Sequence, residues 1–164
     1  MNNILQHEQI EEKINRLAHE IIENTFEEQR IYLGGICGNG SVLAHLLSSI
    51  IKKYSDQEII VFELELDKEH PWDFPITLSI PQSDLKNGFI ILVDDVLNSG
   101  KTMQYSLVKL LEEPTKSIKT VALVDRTHRR YPIKADFVGL SLSTTLKERV
   151  EIDLTPGNYH AYLV

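Results

Sequence analysis

The chain has 164 residues, 42% hydrophobic and 25% charged, which is the length of one domain with enough apolar material for a real core. A formal net charge of −7 argues against broad non-specific binding to nucleic acid, which depends on basic surface. The single cysteine, Cys37, excludes an internal disulfide framework, and no apolar run approaches the roughly 20 residues of a membrane helix.

The opening "MNNILQHEQIEEK" lacks the basic flank and apolar stretch of a signal peptide, so the expected compartment is the cytoplasm, with no membrane partner. Residues 8–24 then place Ile10, Ile14, Leu17, Ala18, Ile21 and Ile22 at steps of three and four with charge between them, which predicts an amphipathic helix. "RIYLGGI" (30–36) is a short apolar run ending in glycines, and "SVLAHLLSSIIKKY" (41–54) has helical spacing, so together they read as strand, loop, helix. "EIIVFELEL" (58–66) predicts a second strand. Residues 67–87 hold Pro71, Pro75 and Pro81 without a clear period and read as an excursion over the sheet.

"GFIILVDD" (88–95) predicts a third strand, "TMQYSLVKLLEE" (102–113) a helix stopped by Pro114, and "IKTVALVD" (118–125) a fourth strand. The tail "RVEIDLTPGNYHAYLV" suggests two strands around the Pro156-Gly157 turn. Strands with fully apolar centres that alternate with helices indicate an α/β fold whose mostly parallel sheet is flanked by helices. The expected organisation is a single domain over 1–164 with a small hood, roughly 64–88 plus the chain ends. No repeat, low-complexity tract or linker interrupts it.

The chemistry concentrates in "FIILVDDVLNSGKTMQYSL" (89–107). In an open parallel sheet, ligands sit beyond the carboxyl ends of the strands, so topology alone delivers Asp94 and Asp95 to a site. The loop that follows, Val96, Leu97, Asn98, Ser99, Gly100, Lys101 and Thr102, offers amides, hydroxyls and a lysine at a helix N-terminus, which suits an anion. Carboxylates accept from sugar hydroxyls while such a loop donates to phosphate, so a ribose phosphate satisfies both. "SGKT" is not the end of a Walker A loop, because Asp95 stands where the first glycine is required. "GGICGNGS" fails as well, with Ser41 in place of the lysine and no glycine triplet of the dinucleotide type, so neither an ATPase nor a dehydrogenase is supported.

The stretch "ILVDDVLNSGKT" resembles the ribose-phosphate loop of the type I phosphoribosyltransferases. "INRLAHEIIE" (14–23), "ILVDDVL" (91–97) and "LVDRTHRRYPIKADFVG" (123–139) narrow the likeness to the bifunctional pyrimidine operon regulator and uracil phosphoribosyltransferase family. The resemblance implies the type I phosphoribosyltransferase fold, binding of 5-phosphoribosyl 1-pyrophosphate (PRPP) with Mg2+ bound through it, transfer to uracil giving UMP, and attenuation through pyrimidine operon mRNA. It also implies roles. Asp94 and Asp95 would bind the ribose hydroxyls and support catalysis, and Asn98 to Thr102 the 5-phosphate. Gly35, Ile36, Cys37, Gly38, Asn39 and Gly40 would form the pyrophosphate loop, and Arg126 would lie at the base. The expected partners are PRPP, a nucleobase and a second copy of the chain in a dimer, with RNA not favoured and no metal bound by the protein alone.

The chain departs from that family in two places. Its pyrophosphate loop, "GICGNGSVLA", has Gly38 and Asn39 where a threonine and a basic residue are usual, and the segment after the second strand, "FELELDKEHPWDFPITL", offers only Lys68 and His70 as cations. Slow transfer with intact binding is the consequence expected, and arginine at position 39 would restore charge to the loop. Plainer readings stand beside these roles. The aspartates could cap a helix, the run Arg126, His128, Arg129, Arg130 and Lys134 could be a solvated edge, and Cys37 could simply pack. His45 and His19 read as ordinary helix residues, and Trp72 either covers a ligand or plugs the hood. Two functions follow: a phosphoribosyltransferase for uracil or a related pyrimidine, or a nucleotide-sensing regulator that retains the ribose-phosphate site. The acidic first helix and the net charge weigh against the RNA version.

Overall fold

The computed structural model describes residues 2–145 and 147–164. In chain order the elements are β1 (Asn2–Leu5), α1 (His7–Thr25), β2 (Arg30–Ile36), α2 (Asn39–Tyr54), β3 (Glu58–Glu65), β4 (Thr77–Leu78), β5 (Phe89–Leu97), α3 (Lys101–Leu110), β6 (Ser117–Asp125), β7 (Phe137–Ser141), β8 (Val150–Asp153) and β9 (His160–Leu163). The sequence pattern identifies α1, α2, α3, β2, β3, β5, β6 and the two tail strands. It does not identify β1, β4 or β7, which are short and owe their pairing to neighbours distant in sequence. The third helix ends at Leu110, and residues 111–113 turn back before Pro114.

A six-stranded sheet runs β4-β3-β2-β5-β6-β7, parallel throughout except for β4 at its edge. From β2 the chain moves outward to β3, and from β5 it moves the opposite way to β6. Parallel crossovers are right-handed, so opposite directions of travel place α2 and α3 on opposite faces. The core records this division. Ile31, Leu33, Ile91 and Val93 join α1 and α2 in one apolar cluster, while Tyr32, Ile90 and Leu92 join Met103 and Leu110 of α3 in another. Successive side chains of a strand point to opposite faces, and here both faces are covered, which is why these strands read as unbroken apolar runs.

The chain ends form a second, antiparallel sheet of three strands in the order β1-β9-β8. Its Leu5, Val150, Ile152 and Ala161 pack into the cluster shared with α1 and α2. The excursion between β3 and β5 goes elsewhere: β4 lengthens the edge of the main sheet, and Ile76 and Leu85 pack into the cluster beneath α3.

Candidate active site

Because β2 and β5 pair side by side while their crossovers diverge, the sheet has its topological switch point between them. The turns that leave their carboxyl ends flank a cleft of about 370 Å³. Its lining comes from four separate parts of the chain: residues 94–103, Asn39 after β2, Lys68 in the excursion, and Val150, Glu151, Ile152 and Tyr162 of the small sheet.

The two aspartates differ in their surroundings. Asp94 is buried, with Oδ1 accepting the Asp95 amide at 2.9 Å. Burial first, and then the neighbouring Asp95 charge, push its pKa well above the usual carboxylate range, while Lys68 acts in the other direction. Asp95 is half-buried. Its Oδ2 accepts from Asn39 Nδ2 at 2.9 Å and its Oδ1 from the Val96 amide at 2.7 Å. A Cβ on Gly40 would lie 2.8 Å from the Val93 carbonyl oxygen and 3.1 Å from Asp94 Oδ1, so only glycine lets α2 begin this close to the carboxylate pair.

The loop after β5 is held from behind. Asn98 O accepts from Arg129 Nη1 at 2.8 Å, and Ser99 O accepts the amides of Arg130 and Tyr131 at 2.8 and 3.1 Å. With those carbonyls engaged away from the cleft and the first amides of α3 lacking partners within the helix, the loop shows donors to the cleft. Gly100 has φ +90°, and a Cβ there would strike Ile133 Cγ2 at 2.4 Å. The glycine is therefore demanded by the loop behind it, a constraint invisible in the motif itself. Lys101 Nζ donates to Glu69 O at 2.9 Å and stands 5.6 Å from the centre of the Trp72 ring, which ties this loop to the excursion.

The glycine turn after β2 is arranged differently. Of residues 35–40 only Asn39 lines the cleft. Ile36 is buried in the α3-side cluster, and the Cys37 thiol lies 3.8 Å from Leu66 O. Gly38 has φ +88°, and the nearest atom to a Cβ placed on it is Lys68 Nζ at 3.5 Å. Asn39 Nδ2 donates to Asp95 and also to Ile152 O at 2.8 Å, so it ties the glycine turn both to the carboxylate pair and to the small sheet.

Arg126, expected beside a base, does not line the cleft. Its guanidinium donates to Thr144 Oγ1 at 2.9 Å, Asn98 Oδ1 at 2.9 Å, Thr145 O at 3.1 Å and Glu148 O. Arg129 is equally engaged, with Asp125 Oδ1 at 2.5 Å and Ile133 O at 3.0 Å. His128 Nε2 meets Thr144 O, and Lys134 lies 3.6 Å from Asp136. Most of the basic run thus braces the loops around the site. Sequence reading missed Glu151 and Tyr162, which pair across the small sheet through a 3.2 Å hydrogen bond from the tyrosine hydroxyl. The polar alternation of β8 and β9 was their only signal. Among the described residues no cluster of three or more His, Cys, Asp or Glu side chains gathers to hold a metal.

Comparison with known proteins agrees with this geometry. Residues 1–152 match the phosphoribosyl transferase domain family. The chain is 34% identical to the bifunctional protein PyrR of Herpetosiphon aurantiacus, covering 93% of this chain and 89% of the relative. It is 32% identical to the PyrR of Streptomyces coelicolor, covering 92% and 82%. Among solved structures it is similar to a hypoxanthine-guanine phosphoribosyltransferase of Bacillus anthracis, with TM-score 0.78, 20% identity and coverage of 100% and 98%. The hypoxanthine phosphoribosyltransferase of Trypanosoma cruzi gives TM-score 0.80 at 15% identity, covering 99% and 95%. At those identities the solved structures establish the fold, that of the type I phosphoribosyltransferases.

Proposed function

The chain belongs to the phosphoribosyl transferase family, and from that premise we propose that it binds PRPP in the cleft between β2 and β5 and transfers phosphoribose to uracil, forming UMP. The observation that carries this reading is the joining of a carboxylate pair and a helix-terminal donor loop in one cleft at the switch point. Asp94 and Asp95 accept from the ribose 2- and 3-hydroxyls, and the amides and hydroxyls of residues 98–102 hold the 5-phosphate at the N-terminus of α3. The pyrophosphate lies toward the glycine turn.

In the transfer, the bond from ribose C1 to the pyrophosphate oxygen breaks and its electron pair leaves with pyrophosphate. A bond from C1 to uracil N1 forms, and the N1 proton is released to solvent. The transition state is oxocarbenium-like, so the protein's contribution is orientation and charge stabilisation, and no nucleophilic side chain is required. Mg2+ fits the donor set in one form: a pair of adjacent carboxylates is too few ligands alone, and Mg2+ characteristically combines one or two carboxylates with substrate phosphates. Asp94 and Asp95 would hold it on the protein side, and when bound it supplies charge neutralisation for the pyrophosphate.

The resemblance of residues 14–23, 91–97 and 123–139 to the bifunctional pyrimidine operon regulator and uracil phosphoribosyltransferase family supports uracil as the acceptor. Arg126 acts in this reading as a brace for the loop carrying Asn98, because every branch of its guanidinium already meets a protein acceptor. A regulator that senses nucleotides through the same cleft remains the second reading, favoured by the uncharged glycine turn. Its RNA-binding form has little support in the basic run, where Arg126 and Arg129 are engaged internally. The deciding experiment incubates the protein with PRPP, Mg2+ and a panel of nucleobases and identifies the nucleotide formed. UMP from uracil is the expected product. Conversion of hypoxanthine or guanine with uracil inert would overturn the acceptor, and binding of PRPP or UMP without turnover on any base would favour the sensor.

A further inference from the structure

The junction of β1 and α1 holds a side chain that the cleft does not use. Leu5 pairs with Ala161 in the β1-β9 ladder, and beyond that pair the chain turns into α1 at His7. The ladder nevertheless gains one more hydrogen bond. The amide of Tyr159, two residues before Ala161, donates to His7 Nδ1 at 2.9 Å, so an imidazole nitrogen stands where the departing strand no longer offers a carbonyl. The two rings lie 4.6 Å apart between centroids, and the His7 side chain is 23% exposed.

These contacts fix which ring nitrogen carries the proton. A backbone N–H only donates, so Nδ1 is the bare nitrogen and Nε2 bears the hydrogen. Nε2 faces Glu11 Oε1 at 3.3 Å, and an ionised carboxylate only accepts, so the second contact requires the same tautomer. A proton added at Nδ1 sets two donors against each other. The charged ring therefore loses Tyr159 and keeps Glu11, and imidazole is the side chain that makes this change between about pH 8 and 5. The other titratable groups around the ring are Glu8 on α1, Tyr159 itself and His160 on β9, while β1 brings only the uncharged Asn3. Lys53 of α2 shares a groove with Glu11 and Tyr159. Beyond Tyr159 lies a stiff turn. Asp153 Oδ1 accepts the Thr155 amide and hydroxyl at 2.9 and 2.6 Å, and Thr155 O accepts the Asn158 amide at 2.9 Å. That turn joins β8 to β9, the strands that bring Glu151, Ile152 and Tyr162 to the cleft.

We propose that His7 is an acid-sensitive fastener of the small sheet: as a neutral ring it pins the β8-β9 turn to the start of α1, and on protonation it releases that turn and loosens the strands that form one wall of the cleft. This goes beyond the reading of the cleft as a PRPP site and holds whichever ligand the cleft takes.

The test is nuclear magnetic resonance on the ligand-free full chain. A long-range proton–nitrogen spectrum at neutral pH should show His7 protonated at Nε2. Amide exchange, corrected for the intrinsic rate at each pH, should then show the protection of the Tyr159 amide falling roughly fivefold to tenfold between about pH 7.5 and about pH 5, with a smaller loss in β8. His7→Asn offers an amide oxygen in place of Nδ1 and cannot titrate, so its Tyr159 protection should stay level over the same range. His160 is retained in that variant, so its own titration is common to both proteins. His7→Phe keeps the ring against Tyr159 without an acceptor and should show low protection at every pH. A His7 ring protonated at Nδ1 in the neutral protein would overturn the proposal, and the parent alone decides that. Parallel loss of protection in the parent and His7→Asn would overturn it too, as would an unchanged β8 when Tyr159 is released.

Discussion

The turns after β5 and β2 leave neighbouring strands of one sheet and face one cleft, but they are built on opposite plans. The turn after β5 carries its own chemistry: two carboxylates, two hydroxyls, a lysine and a helix N-terminus within residues 94–102. The turn after β2 shows the cleft only one side chain, Asn39, and depends on other segments for the rest. Its links run to the small sheet through Ile152, to the carboxylate pair through Asp95, and to the excursion through the Lys68 ammonium. A site can thus be self-sufficient on one wall and assembled by tertiary contact on the other, and the two walls should respond differently to mutation.

The largest effect should come from the self-sufficient wall. Gly100→Val forces a side chain into Ile133 at positive φ, which we expect to cost about 1 to 2 kcal/mol in backbone strain and about 1 to 3 kcal/mol in overpacking. Denaturant titration should show this loss without any ligand present. A folded variant of parental stability would mean that Gly100 serves ligand approach alone. Next, Asp95→Asn should weaken PRPP or UMP binding by about 1 to 3 kcal/mol through loss of an acceptor for ribose hydroxyls, alongside a stability loss of about 0.5 to 1.5 kcal/mol because the new amide NH2 must face the Asn39 or the Val96 donor. Undiminished affinity by calorimetry would return the pair to a purely structural role.

On the assembled wall, Asn39→Ala removes two hydrogen bonds that join three segments, each worth about 0.5 to 1.5 kcal/mol net. The loss should appear as faster amide exchange in β8, with β3 and β6 unaffected. If exchange in β8 matched the parent, Asn39 would not be what holds the small sheet to the site. Asn39→Arg should share this defect, so no gain in transfer rate is expected from it.

The smallest effect has the opposite sign. Asp94 has its folded pKa raised above the ordinary 3.8 by burial first, so at pH values between the unfolded and the folded pKa the native state holds a proton that the unfolded chain has released. Stability from this group is fully present below the unfolded pKa and is lost as pH rises through the folded one. Asp94→Asn keeps an oxygen for the Asp95 amide but cannot ionise. It should therefore be more stable than the parent at neutral pH, with the two curves converging in acid. Parallel stability curves across that range would show that burying the Asp94 carboxyl costs the fold nothing.

The sequence by itself determined the alternation of strands and helices, because apolar strand centres and helical spacing are local patterns read over a dozen residues. It also determined that two carboxylates and a donor-rich loop stand together in residues 94–102, since that grouping depends on residues adjacent in the chain at a strand end and a helix start. Only the tertiary structure decided which partners β1, β4 and β7 take, that Arg126 faces Asn98, Thr144, Thr145 and Glu148, that Gly100 makes room for Ile133, and that Glu151, Tyr162 and Lys68 reach the same cleft. Those facts join residues that are distant in the chain, from Glu65 with Thr77 to Asn2 with Leu163, and no local period records them. Long-range contacts arise from which faces must be covered and which polar groups must find partners, a condition the whole chain meets at once.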